Sequence, residues 1–200
     1  DDWEIYAADQ SWADEYNVLF VDQPVDTGFS TGDTIPQNMT SASEEFQEFL
    51  YKFYVMYADL MPHGLYLAGE SYAGKYLPLY IHDMLEHNKV NKTFQFPIKG
   101  LFIGDPFPSP LLQRTSMHHV AQGLNILSDY QLDQLSVFYQ TCEATISFNM
   151  TMAADACDEA INYFDLVSGK VFSYDARIFT DDYEPYQYWS DFLVNANNVS

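Results

Sequence analysis

The sequence predicts an α/β fold, and three observations support that prediction. Three short apolar runs, each bounded by glycine, proline or aspartate, are typical of strands that are buried on both faces of a parallel sheet. Segments with apolar residues at helical spacing separate these runs. The resulting order of strand, helix, strand, helix, strand is typical of a sheet with right-handed crossover connections.

All these elements lie within the first 105 residues of the chain. The predicted strands are residues 17–22 (NVLFVD), 64–70 (GLYLAGE) and 98–105 (IKGLFIGD). Between the first two strands, a capping box of Ser41 and Glu44 predicts the start of a helix, and Pro62 follows its end. A second helix is predicted directly after Ser71, with mid-helix Leu, Tyr and Ile side chains facing the sheet.

The pattern changes after about residue 106, where two amphipathic helices, 128–146 and 153–169, follow without a strand between them. A short helix is also predicted near 187–195. We therefore divide the chain into three parts: residues 1–110 as a partial α/β core, 111–172 as a helical insertion and 173–200 as a return toward the core.

The composition excludes several kinds of partner. The chain has 29 acidic and 8 basic residues, a formal net charge of −21, which argues against nucleic acids and anionic membranes. No apolar run reaches the roughly 18 residues of a membrane span. The pair His118-His119 lacks a third ligand at suitable spacing, so we expect no metal ion, and we expect no cofactor.

Glycosylation sequons and cysteines indicate the secretory pathway. Four Asn-x-Ser/Thr sequons predict glycans on loops, at Asn38, Asn91, Asn149 and Asn198. Cys142 and Cys157 are compatible with one disulfide that closes a short loop, or with two buried thiols, and the sequons favour the disulfide. The expected location is lysosomal, vacuolar or extracellular.

The segment Gly69-Glu70-Ser71-Tyr72-Ala73 has the form of a nucleophile elbow. Such a serine lies in a sharp turn between strand and helix, so the residues two positions away must be small. The backbone N–H of Tyr72 would point toward an oxyanion, helped by the positive end of the following helix. The alternative is an ordinary serine at a helix N-cap.

The segment GESYAGKYLP (69–78) resembles the nucleophile segment of the serine carboxypeptidases. Four further segments resemble that family in the family's order: NVLFVDQPVDTGFST (17–31), IKGLFIGDPFPSP (98–110), YDAR (174–177) and FLVNANNVS (192–200). Departures are Asp26, where the family has Gly, and Asp105-Pro106, where it has Asn-Gly.

The resemblance implies an α/β-hydrolase fold with a helical insertion, here incomplete. Ser71 would be the nucleophile that forms an acyl-enzyme during release of C-terminal amino acids from peptides. The Tyr72 N–H would be one oxyanion donor. Glu70 and a second carboxyl would bind the substrate's terminal carboxylate, which requires a shared proton and favours acid pH. Alternatively, Glu70 helps to shape the turn.

Several parts that the resemblance implies are absent from the sequence. The other oxyanion donor, in a Gly-rich segment, and the second glutamate would lie upstream, and the triad Asp and His would lie downstream. None of the five histidines occupies the family's position. We therefore expect an internal segment of a longer protein, inactive alone, whose partners are peptide substrates and the remainder of a processed chain or a homodimer partner.

Two other functions remain open at this point. A relative with the same fold could transfer the acyl group to an alcohol instead of water. The departures at Asp26 and Asp105-Pro106 also leave open a non-catalytic, glycosylated binding or structural relative.

Overall fold

The computed structural model describes residues 7–172 and 174–179 of the chain. Residues 8–109 form one compact unit, and the other described residues form a second unit. The first unit contains a parallel sheet with helices packed on it, and the second is helical. Within the described residues, no helix is long and apolar enough to cross a membrane.

From residue 39 onward, the elements of the first unit follow the predicted order of helix, strand, helix and strand. They are a 3₁₀ helix at Trp12–Asp14, α1 (Met39–Met56), a 3₁₀ helix at Ala58–His63, β1 (Leu65–Glu70), α2 (Ala73–Val90) and β2 (Ile98–Gly104). The second unit contains α3 (Pro110–Arg114), α4 (Met117–Gly123), α5 (Asp129–Phe148) and α6 (Met150–Ser168).

Strands β1 and β2 pair in parallel, and α1 and α2 bury one face of this sheet. The core contains Leu50 of α1, Leu67 of β1 and Met84 of α2, all buried. The prediction that mid-helix residues of α2 face the sheet is confirmed, because Leu77 and Tyr80 are buried in this core. Burial of these apolar side chains fixes the position of α2 against the ends of both strands.

The strand prediction for residues 17–22 is wrong. The segment is not part of a strand, and no described strand lies beside it to accept its backbone hydrogen bonds. Phe20 is 91% exposed, whereas Val21 packs against the core. The apolar run therefore indicated partial burial, but a β-strand also requires a pairing partner, which sequence periodicity does not report.

Helix α1 begins earlier than the predicted capping box. Asn38 is the N-cap, and its Oδ1 accepts a hydrogen bond from the Ser41 N–H at 3.0 Å. The Ser41 Oγ accepts one from the Asn38 N–H at 3.3 Å. The box of Ser41 and Glu44 is wrong because Asn is as good an N-cap as Ser, and Asn38 satisfies the first N–H groups one turn earlier.

A tight loop follows residue 21 and contains a departure from the family pattern. The Asp22 carboxylate accepts a hydrogen bond from the Phe29 N–H at 2.8 Å. A Cβ added at Gly28 would lie only 2.3 Å from the Asp22 Oδ2, so this position has no room for a side chain. Asp26 has a φ of +75°, in the left-handed region. Asp tolerates this conformation better than most residues, so the loop accommodates Asp where the family has Gly.

Helices α5 and α6 form a hairpin in the second unit. Both predicted helices are confirmed, with Leu135, Tyr139, Ala160 and Phe164 buried between helices. Burial raises the pKa of Tyr139 to about 12. Helices α3 and α4 were not predicted because each is too short for its apolar spacing to be recognised.

The end of the described chain is a short turn closed by a bridge between Val171 and Phe179. Within it, Arg177 donates two hydrogen bonds to the Asp175 carboxylate, at 2.8 and 2.6 Å. These bonds lower the pKa of Asp175 to about 2. The helix predicted near 187–195 and the sequon at Asn198 lie outside the described residues.

The predicted disulfide between Cys142 and Cys157 is confirmed. It joins α5 to α6 across a separation of 15 residues, with 4.7 Å between the two Cα atoms. Both cysteines are buried. The bond therefore fixes the two helices of the hairpin to each other near its tip.

We expect replacement of both cysteines by alanine to lower the free energy of unfolding of the helical unit by about 3 kcal/mol, because the bond closes a loop of about 15 residues. Denaturant unfolding of the variant and the unmodified protein measures the difference. Peptide mapping without reductant should yield one linked peptide. Free thiols at both positions, or either cysteine paired elsewhere, would contradict the assignment.

Candidate active site

Ser71 lies in a sharp turn between β1, which ends at Glu70, and α2, which begins at Ala73. Its φ is +55°, in the left-handed region that residues other than glycine rarely adopt. Its side chain is exposed. A non-glycine residue held in this conformation stores strain, and such strain is concentrated at functional sites.

The prediction that small residues flank the serine is confirmed. A Cβ added at Gly69 would stand 2.5 Å from the Cβ of Ala73 and 3.0 Å from the Cδ1 of Leu77. Strand and helix therefore approach so closely that neither Gly69 nor Ala73 has room for a larger side chain. This close approach is what allows the chain to turn within two residues.

The loop that leaves β2, residues 104–107, contacts the same turn. The Ser71 N–H donates a hydrogen bond to the Gly104 carbonyl at 3.0 Å, and the Phe107 N–H donates one to the Ser71 carbonyl at 2.9 Å. A Cβ at Gly74 would stand 2.6 Å from both the Phe107 nitrogen and the Pro106 Cβ. We call residues 104–107 the β2-exit loop.

The start of α2 faces the same position. Tyr72 precedes the helix, and α2 has 18 residues whose peptide dipoles place partial positive charge at this end. Among the described residues, the backbone N–H of Tyr72 makes no hydrogen bond. This donor is therefore available beside Ser71, and its role in binding an oxyanion stays a prediction.

Glu70 is the last residue of β1 and is exposed. It lies opposite Gly104 in the parallel register, with its Cγ 3.7 Å from the position a Cβ of Gly104 would take. Its side chain therefore lies at the carboxyl end of the sheet, next to Ser71, where ligands bind in open α/β sheets. Its role in recognising a carboxylate stays a prediction.

Aromatic side chains of α2 extend from the elbow into the core. The ring centroids of Tyr72 and Tyr76 are 6.2 Å apart, and those of Tyr76 and Tyr80 are 5.5 Å apart. The Tyr80 hydroxyl donates a hydrogen bond to the Gln23 Oε1 at 2.8 Å. Burial, with smaller contributions from Tyr76 and Glu45, raises the pKa of Tyr80 to about 12. The neutral Tyr80 hydroxyl thus joins the middle of α2 to Gln23.

The described residues do not supply a base for Ser71. No hydrogen bond joins its hydroxyl to a histidine or a carboxylate within residues 7–172 and 174–179. His87 packs against the rings of Phe94 and Phe96, and the His118 Nδ1 lies 3.0 Å from the Thr115 carbonyl. In the same part of the chain, no three His, Cys, Asp or Glu side chains are arranged to hold a metal ion.

Comparison with known proteins decides the family. A family model described as serine carboxypeptidase matches residues 1–198 of the chain. The chain belongs to the serine carboxypeptidase family. The resemblance of its motifs is thereby confirmed, and so is an α/β-hydrolase fold of which the described strands and helices are part.

The similar proteins are longer than this chain and match between about half and all of it. A probable serine carboxypeptidase CPVL of Dictyostelium discoideum is 30% identical over 100% of the chain, which spans 41% of that protein. A pheromone-processing carboxypeptidase KEX1 of Chaetomium globosum is 41% identical over 55% of the chain. The crystal structure of a prohormone-processing carboxypeptidase from Saccharomyces cerevisiae matches 79% of the chain with a TM-score of 0.69 and 25% identity, and the chain covers 37% of it.

Sequence reasoning identified Ser71 and its small neighbours but missed the β2-exit loop as part of the site. The signal was present, because Asp105-Pro106 departs from the family pattern in a segment that follows a predicted strand. Parallel strands end at one edge of the sheet, so the end of β2 had to lie beside the end of β1. That argument would have placed Asp105 next to Ser71.

Replacing Gly74 by alanine should lower the free energy of unfolding by about 1–3 kcal/mol, because the new methyl group would meet backbone and a proline ring that cannot rotate away. Gly123, at the end of α4, is the matched control, since a Cβ there meets nothing within 4 Å. Gly123→Ala should be neutral or stabilising by up to about 1 kcal/mol. Denaturant unfolding measures both, and equal effects at the two sites would contradict the close packing of the elbow.

Proposed function

We propose that the longer protein to which this segment belongs is a serine carboxypeptidase that releases C-terminal amino acids from peptides at acid pH. The observation that carries the proposal is Ser71, held exposed in a left-handed turn between β1 and α2 with no room for larger neighbours. Family membership supplies the reaction class.

In this mechanism the Ser71 Oγ attacks the carbonyl carbon of the last peptide bond. A histidine base from the longer protein takes the hydroxyl proton and passes it to the leaving amine as the C–N bond breaks. The Tyr72 N–H stabilises the oxyanion that develops on the carbonyl oxygen. Water then attacks the acyl-enzyme, releases the shortened peptide and restores Ser71.

Glu70 acts in recognition and not in the covalent step. It is the last residue of β1 and directly precedes Ser71. A carboxyl group can hydrogen-bond the substrate's terminal carboxylate only while a proton is shared between them. Activity therefore falls as pH rises and that proton is lost.

Both aspartates that depart from the family pattern lie where the backbone is left-handed. Asp26 has a φ of +75° and Asp105 a φ of +38°, both left-handed. Asp and Asn are the non-glycine residues that adopt this region most readily, so Asp is compatible with the backbone at both positions. This supports a catalytic protein over a non-catalytic relative.

The proposed location is the secretory pathway, in a lysosomal, vacuolar or extracellular compartment. The disulfide between Cys142 and Cys157 is typical of an oxidising compartment. At Asn38, Asn91 and Asn149 the side-chain Oδ1 accepts a backbone hydrogen bond at a helix cap or turn, and the sequons there are typical of a glycosylated secretory protein. We also propose that residues 111–172 are the helical insertion of the fold. The proposed partners are peptide substrates and either the remainder of a processed chain or a homodimer partner.

We expect Ser71→Ala in the longer protein to lower kcat/KM by at least about 10⁴-fold with an unchanged unfolding profile, because a methyl group still fits the turn. Glu70→Gln should behave differently. The amide stays neutral and still donates a hydrogen bond, so carboxypeptidase activity should persist and decline less between acid and neutral pH. The measurement is kcat/KM against pH for a blocked dipeptide.

The C-terminal amide of the same dipeptide is the control substrate, because it lacks the carboxylate that Glu70 is proposed to bind. Glu70→Gln should change hydrolysis of this amide much less than hydrolysis of the free acid. If it depresses both substrates equally at every pH, Glu70 is a structural support of the turn. In that case the proposal of a carboxypeptidase rather than a general esterase would lose its main residue.

At least two of Asn38, Asn91, Asn149 and Asn198 should carry N-linked glycans in the native protein, because the first three lie in caps or turns, where Asn38 and Asn149 are exposed. Mass spectrometry of peptides before and after glycosidase treatment measures this. Unmodified peptides at all four sites would overturn the proposed location.

A further inference from the structure

We propose that the β2-exit loop, residues 104–107, positions Ser71 for reaction, and that Asp105 is the positioning residue within it. The inference rests on the proposed function. It assigns to Asp105 a role through the backbone, because its left-handed conformation directs the loop back onto the elbow. Its carboxylate is exposed and is not required for that role.

The first argument is the set of hydrogen bonds around Ser71. Its N–H donates to the Gly104 carbonyl at 3.0 Å, and its carbonyl accepts from the Phe107 N–H at 2.9 Å. The loop therefore holds both peptide groups that flank the nucleophile. From α2, Ser71 receives one bond, in which the Gly74 N–H donates to its carbonyl at 3.0 Å.

The second argument is the conformation of Asp105. Its φ of +38° makes it, like Ser71, a non-glycine residue in the left-handed region, and it follows directly after the last residue of β2. Gly104 pairs with Glu70 in the register, so Asp105 and Ser71 are the next residues on the two strands. Two adjacent strands thus leave the sheet through left-handed residues at the same level, and the two turns are hydrogen-bonded to each other.

The third argument is the contact of the loop with α2. Pro106 has a restricted φ and no N–H, so Phe107 supplies the donor that reaches Ser71. The Pro106 Cβ and the Phe107 nitrogen both lie 2.6 Å from the position of a Gly74 Cβ. The loop is therefore wedged between the elbow and the first turn of the helix, and a change at Asp105 is transmitted to Ser71.

The test compares Asp105→Val with Asp105→Asn in the longer protein. A β-branched residue disfavours the left-handed region, whereas Asn accepts it. Asp105→Val should lower kcat for a blocked dipeptide by at least about tenfold and leave KM within about twofold, because a misplaced nucleophile slows chemistry more than binding. Asp105→Asn should keep both constants within about twofold of the unmodified protein.

Asp26→Val is the matched control. It places the same side chain at another left-handed aspartate in the same unit, with a φ of +75°, in the loop that follows residue 21. It should lower stability about as much as Asp105→Val and leave kcat within about twofold. A kcat loss equal to that of Asp105→Val would mean that general destabilisation explains both, and would overturn the positioning role.

Amide hydrogen exchange at Ser71 and Phe107 tests the loop without relying on activity. Both amides should exchange slowly in the unmodified protein and at least about tenfold faster in Asp105→Val, but not in Asp105→Asn. Unchanged exchange in Asp105→Val overturns the inference even if the protein is an active carboxypeptidase. An inactive protein with the expected exchange pattern supports the loop's structural role and contradicts only the proposed function. Equal kcat losses in both Asp105 variants would show that the carboxylate acts and would also overturn it.

Discussion

The left-handed backbone of Ser71 constrains every other feature of the elbow. A serine resists this conformation, so the surrounding structure must hold it there. Close approach of β1 and α2 requires Gly69 and Ala73, and contact with the β2-exit loop requires Gly74. The burial of Leu67 and Leu77 in one core supplies the packing that keeps strand and helix together. The strain at one residue is thus balanced by the packing of the whole first unit.

The sequence predicted the elements whose signal is local. Strands β1 and β2, helices α2, α5 and α6, and the small residues around Ser71 each follow from apolar spacing or from the steric needs of a turn. The segment 17–22 shows the limit of this reasoning, because its apolar run does not reveal whether a partner strand is beside it. The start of α1 shows a second limit. Two capping boxes, Asn38 with Ser41 and Ser41 with Glu44, are possible in the sequence, and only the structure shows that the first one forms.

The features of the candidate site that were missed depend on contacts between distant residues. Asp105 and Ser71 are far apart in sequence and become neighbours only through the parallel register of β1 and β2. Their left-handed conformations were not predictable from residue type, because Ser rarely adopts that region and Asp, although it tolerates the region, does not require it. The departure at Asp105 thus lies at a position where the backbone conformation brings two distant turns together.

The division of labour in the proposed enzyme follows from what this segment contains. It carries the proposed nucleophile, Ser71, the backbone N–H proposed as an oxyanion donor and a carboxyl group at the strand end, all at a single sheet edge. One relative matches the whole of this chain, yet the chain spans only 41% of that relative's length. The base and its orienting acid are proposed to come from the rest of the longer protein, where they would meet Ser71 above the same edge.

Reaction with a fluorophosphonate probe tests the central claim most directly, because the probe modifies a serine only when its hydroxyl is activated and an oxyanion site stabilises the product. The native longer protein is treated with the probe and digested, and the modified peptide is sequenced by mass spectrometry. The account predicts a single phosphonylated residue, Ser71. A folded protein that stays unlabelled, or a label on a different serine, would contradict it.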